Sequence, residues 1–128
     1  SQINAYNAIK YRKQIGAESI HIIADIYSRH NIHNHPITSM AEIALRCGAN
    51  AVSFTSGSDQ RNVQWCDELK KHIPKAKVYL SGNTTYKNVA NLLQHFDGAF
   101  VGRDFEDQKW GGQPELNCVE RYINSITK

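Results

Sequence analysis

Two short apolar runs in the second half of the sequence each stop at a glycine turn. Val78-Tyr79-Leu80 is followed by Ser81-Gly82-Asn83, and Ala99-Phe100-Val101 by Gly102-Arg103. A glycine at the end of a buried strand lets backbone N–H groups approach an oxygen-rich ligand, and a helix N-terminus beyond it adds partial positive charge. Arg103 can contribute a bidentate contact, since its guanidinium fork matches two phosphate oxygens. It can equally fill the space a phosphate would take. Ser81, Gly82, Asn83, Gly102 and Arg103 are therefore the candidates for an anion cradle. The same spacing also describes a plain strand–helix–strand unit whose glycines only make turns.

Other polar residues follow apolar runs in the same way. Asp25 lies at the end of Ile20–Ala24, and a lone carboxylate at a strand terminus suits acid/base work or a backbone anchor. It is the candidate catalytic residue. His30, His33 and His35 crowd the next loop, and with Asp25 they are the types that bind zinc, yet their spacing meets none of the usual zinc patterns. No metal and no cofactor is expected, and His30 is retained as a ligand contact. Ser56, Ser58 and Asp59 follow the run 51–55, and their oxygens suit either substrate hydroxyls or helix capping. There is no nucleophile elbow, Walker A sequence or HExxH. Trp65 reads as packing, and Trp110 as a cover over a ligand or over one end of the fold.

The elements that position these residues alternate. Residues 3–15 are predicted to form an amphipathic helix ended by Gly16, and residues 19–27 a strand buried on both faces. Ser39 is expected to cap a helix over 40–47, closed by Gly48; 51–55 reads as a strand. After a loop over 56–61, Val63, Cys66, Leu69 and Ile73 mark a helix stopped by Pro74. Thr84 or Thr85 is expected to cap a helix carrying Val89, Leu92, Leu93 and Phe96, between strands at 77–80 and 99–101. Pro114 opens a last helix with Val119, Tyr122, Ile123 and Ile126 on one face. A helix followed by four βα units predicts a parallel sheet with right-handed crossovers, in one α/β domain over residues 1–128.

Composition narrows the class. With 41% hydrophobic and 21% charged residues, the 128-residue chain reads as a soluble globular domain. A net charge of +3 without any basic run argues against nucleic acid, and no apolar stretch is long enough for a membrane span. Cys47, Cys66 and Cys118 are odd in number and widely spaced, which suits reduced thiols in a cytoplasmic protein. A helical pattern that starts at once after Ser1, with no Met, is expected of a piece of a longer chain.

Several stretches together resemble the BtpA/SgcQ family. They are Tyr11-Arg12-x-x-Ile15-Gly16-Ala17, Ile23-Ala24-Asp25-Ile26 with His30, Gly48-Ala49-Asn50-Ala51-Val52, and Leu80-Ser81-Gly82-Asn83-Thr84-Thr85-x-x-Asn88-Val89. Phe96-Asp97-Gly98-Ala99-Phe100-Val101-Gly102 and Val119-Glu120-Arg121-Tyr122 complete the set. The resemblance implies the C-terminal half of a (β/α)8 TIM barrel, that is, a preceding helix and strands 5 to 8. It also implies a phosphorylated, nucleoside-like or sugar-like ligand at the strand C-termini, handled by a nucleosidase-like enzyme. The alternative it implies is a non-enzymatic assembly factor resembling the photosystem I biogenesis protein. This chain departs from the family at Arg103, where a small hydroxyl residue is usual, at Asn83, where glycine or another small residue is usual, and over 30–36. Four strands cannot close a barrel alone, so a homo-oligomer or an N-terminal half is the expected partner. A flavodoxin-like flattened sheet is the alternative architecture.

Overall fold

A computed structural model describes residues 2–28 and 35–127. Along the chain it forms α1 (Gln2–Gln14), β1 (Ile23–Tyr27), α2 (Ile37–Arg46), β2 (Ala51–Phe54) and α3 (Asp59–His72). Then come β3 (Val78–Leu80), α4 (Val89–Leu92), β4 (Gly98–Ala99) and α5 (Leu116–Ile126). The strands make one parallel sheet in the order β1-β2-β3-β4. Right-handed crossovers between sequential neighbours put successive helices on the same face, as in a barrel. A flavodoxin-like sheet would instead reverse its strand order partway and carry helices on both faces. The fold is α/β, a helix and four βα units, equivalent to half of a (β/α)8 barrel.

Strand alternation separates the two faces. Val52, Phe54, Val78 and Leu80 are fully buried and pack with Ala41, Cys66, Leu69 and Leu92 of the helices. Each such side chain contributes about 1.5–3 kcal/mol on burial. Burial also pushes the Cys66 thiol up to about 12, so it stays neutral and acts as an apolar filler. The opposite, concave face carries Ile23, Asp25, Ser53, Tyr79 and Phe100. Val52, Phe54, Val78 and Leu80 thus belong to the helix-packed layer and not to the concave face. This corrects β1, which is not buried on both faces, since Ile20 is 61% and Ile23 38% exposed. β1 is an edge strand, and its concave side has no layer opposite.

Helix starts differ from the periodicity. α2 begins at Ile37 behind Pro36, whose φ of −56° suits helix entry, and Ser39 lies inside its first turn. α3 begins at Asp59, with the Ser58 hydroxyl accepting the Arg61 N–H at 3.4 Å. Its first turn, Asp59-Gln60-Arg61, is polar and gives no apolar signal. α4 shrinks to four residues, since Asn88 rather than Thr84 or Thr85 precedes it. Among the described residues no helix is long and apolar enough to cross a membrane.

Candidate functional site

The turns beyond β2, β3 and β4 are tied into one rim. After β2, the Asn62 side-chain oxygen accepts from the Ser56 backbone N–H at 2.7 Å and stands 2.7 Å from the Ser56 hydroxyl. Between β2 and β3, the Asn83 amide donates to the Thr55 hydroxyl at 3.2 Å. Asn88 donates to Asp59 at 3.0 Å and to the Asn83 carbonyl at 3.1 Å. Between β3 and β4, the Thr84 hydroxyl donates to the Phe100 carbonyl at 3.2 Å. The Asp104 carboxylate accepts the Tyr86 N–H and the Gln108 amide, both at 2.8 Å. Asp104 is only 1% exposed, and its charge stays buried because these donors hold it.

These ties define what is left over. The N–H groups of Gly82, Asn83, Thr84, Gly102 and Arg103 donate to no acceptor among the described residues. Those of Thr85, Tyr86, Lys87 and Asn88 are all used. Gly82 and Gly102 both face open space where a Cβ would lie. Asn83 sits at φ +61°, a left-handed conformation that asparagine tolerates, and so does the work of a glycine there. Arg103 is exposed and has no ionic partner among the described residues. The helix dipole expected beyond Thr84/Thr85 is absent, because α4 is a single turn and begins at Val89. Free amides and Arg103 are the positive features of the cradle.

Asp25 lies elsewhere on the concave face. It is the third residue of β1 rather than its last, and the register Asp25–Ser53–Tyr79–Gly98 places it in one row across the sheet. The Ser53 hydroxyl donates to it at 3.3 Å, and its surface is exposed. Two strand spacings across the sheet and three residues along β3 separate Asp25, level with Tyr79, from Gly82, roughly 14 Å in all. In the same row the Tyr79 ring covers Gly98, where a Cβ would fall 2.8 Å from two ring carbons.

The remaining candidates divide. Ser56, Ser58 and Asp59 spend their polar atoms on the loop and on the α3 cap. His30 and His33 lie outside the described residues, while His35 lines a groove beside α1 together with Asp25. Among the described residues there is no group of three or more metal-binding side chains. Trp65 packs edge-on against Tyr27 and Phe54, and Trp110 is 88% exposed. Sequence reasoning missed Thr84, Asp104 and Tyr122, which meet beneath the cradle. Tyr122 is 3% exposed and its hydroxyl lies beside Thr84, outside hydrogen-bond geometry. Burial, with the Asp104 charge, raises its pKa above the ordinary phenol value and keeps it neutral. A buried acid one residue after a glycine turn was the available signal for Asp104.

No family model matches the chain. No curated protein matches it either. A solved structure described as "Native KDPGal structure" superposes on it with a TM-score of 0.60 at 20% sequence identity, over 91% of this chain and 54% of that chain. The chain thus spans about half the length of that solved structure. The likeness is one of fold, and it is a likeness to half a barrel.

Proposed function

We propose that the chain is a BtpA/SgcQ-like half-barrel that binds a phosphorylated small molecule, sugar-like or nucleoside-like, at the C-terminal ends of its strands. The observation that carries this reading is the set of five backbone N–H groups, at Gly82–Thr84 and Gly102–Arg103, left without acceptors on two turns that Thr84 and Asp104 tie together. Oriented amides around open space, with a guanidinium beside them, complement an oxyanion and nothing cationic. Asp25 is the candidate acid or base. A non-enzymatic assembly factor is the second reading, and the exposed concave residues Ile23 and Phe100 favour it.

Titration with inorganic phosphate, followed by amide chemical shifts, tests the first reading. Shifts concentrated at residues 81–84 and 102–104 are expected. Small shifts spread evenly along the chain would remove the cradle and leave the turns structural.

A further inference from the structure

We infer that two copies of this chain close into one eight-stranded barrel, and that Asp25 of each copy reaches the other copy's site, beside Arg103. The inference rests on the cradle proposed above for its ligand, but on the sheet alone for its assembly. β1 and β4 each pair on one side only, and the strand order between them is sequential. A two-fold axis along the barrel axis sets β4 of one copy beside the partner's β1 with both strands parallel, twice over. No strand edge is then left open.

The register across that seam follows from barrel geometry. An eight-stranded barrel of this class has a shear of about eight residues, so half a turn displaces the row by about four. Right-handed tilt directs the displacement toward strand N-termini. The row Asp25–Ser53–Tyr79–Gly98 therefore continues at position 21 of the partner. Two residues on, Phe100 meets the partner's Ile23. Both side chains point to the concave face, and they are 49% and 38% exposed in the single chain. Two further on, Gly102 stands level with the partner's Asp25, and Arg103 beside it.

Charge agrees with this register. Asp25 and Arg103 each lack an ionic partner among the described residues, and the seam gives each the other. Within one copy Asp25 is three strands from β4; across the seam it is one strand away, about 5 Å in the pairing direction. Outside the sheet, Ile123 and Ile126 of α5 are exposed, and α5 follows the strand at the seam. Beside the other edge lies an apolar groove of about 620 Å³ lined by Ile9, Ile22, Met40 and Ile43.

Sedimentation of the 128-residue chain at micromolar concentration tests the assembly. Twice the 14.5 kDa of one chain is expected. Phe100→Glu should return the single-chain mass with unchanged circular dichroism, since Phe100 is half exposed without the seam. Arg103→Glu should weaken association at least tenfold, and Asp25→Arg in the same chain should restore it. A wild-type chain that sediments as a monomer overturns the inference, as does a dimer whose mass Phe100→Glu leaves unchanged. A dimer that ignores phosphate would overturn the cradle and keep the barrel.

Discussion

At the N-terminal ends of the strands, charged side chains are tied down by ion pairs and backbone groups; at the C-terminal ends, side chains hold the loops and backbone amides are left over. The Asp97 carboxylate accepts the Val78 N–H at 2.9 Å and pairs with Lys70 at 3.1 Å and Lys77 at 3.2 Å. On the same rim, Arg12 of α1 donates to the Ile20 carbonyl at 2.8 Å and to Asn50 at 3.0 Å, which in turn accepts the Ile22 N–H. Apart from the buried Arg12 Nε, which meets no acceptor among the described residues, these groups are spent on the chain itself. Across the sheet, Asn62, Asn83, Asn88 and Thr84 fasten three loops together without using the amides of Gly82, Asn83, Thr84, Gly102 and Arg103. Among the described residues, the C-terminal rim keeps a row of backbone donors in reserve. In a barrel the first rim maintains the fold, and the second is where ligands sit.

The largest expected effect tests whether the second rim is one unit. Asp104→Ala leaves the Tyr86 N–H and the Gln108 amide without their acceptor beneath the cradle. A loss of about 3 kcal/mol in denaturant unfolding is expected, together with loss of the phosphate-dependent shifts at residues 82–84. Unfolding free energy unchanged to within about 0.5 kcal/mol would mean that Asp104 is not the pin between the two turns.

The opposite rim should respond in stability alone. Asp97→Ala is expected to cost about 1–2 kcal/mol, since it removes one backbone hydrogen bond and two partly exposed ion pairs. Phosphate shifts at residues 81–84 should be unaffected. The pH dependence has a fixed sign. Burial alone would raise the Asp97 carboxyl, but the Val78 N–H, Lys70 and Lys77 outweigh it and hold it below the ordinary 3.8. A carboxylate depressed in the folded state stabilises fully above about pH 5, and its contribution fades as pH falls through its folded value. The wild-type chain should therefore lose stability faster than Asp97→Ala between pH 5 and the acid transition. Parallel curves would mean that Lys70 and Lys77 hold nothing.

The sequence revealed these two rims unequally. Alternation of apolar runs and amphipathic stretches was enough for the element order, because buried strands and one-sided helices leave periods of two and 3.6. Strand faces were not legible: Val52 and Phe54 differ from Ala51 and Ser53 in size, but which pair meets helices depends on the crossover hand. Helix starts at Ile37 and Asp59 were missed because proline entry and a polar first turn carry no apolar period. Gly82, Asn83, Gly102 and Arg103 were legible as turn chemistry. The long-range ties were not, since Thr84 to Phe100 and Asp104 to Tyr86 span 16 and 18 residues. Asp25 was read as a strand end; a five-residue β1 leaves it at mid-strand, on the edge of the concave face.

The smallest structural perturbation should separate a ligand cradle from a plain turn most sharply. Gly102 does not need to be glycine for its backbone, because its φ lies outside the left-handed region, and a Cβ there would meet no atom within 4 Å. The residue is also exposed, so Gly102→Ala should leave stability within about 0.5 kcal/mol of wild type. The new methyl group would stand in the space in front of the Gly102 and Arg103 amides. If a phosphate oxygen occupies that space, its hydrogen bonds lengthen past the range where they are worth having, and affinity should drop about tenfold, the equivalent of one such bond. If the turn is only a turn, nothing in the chain needs that space, and phosphate shifts at residues 102–104 in Gly102→Ala would match those of wild type.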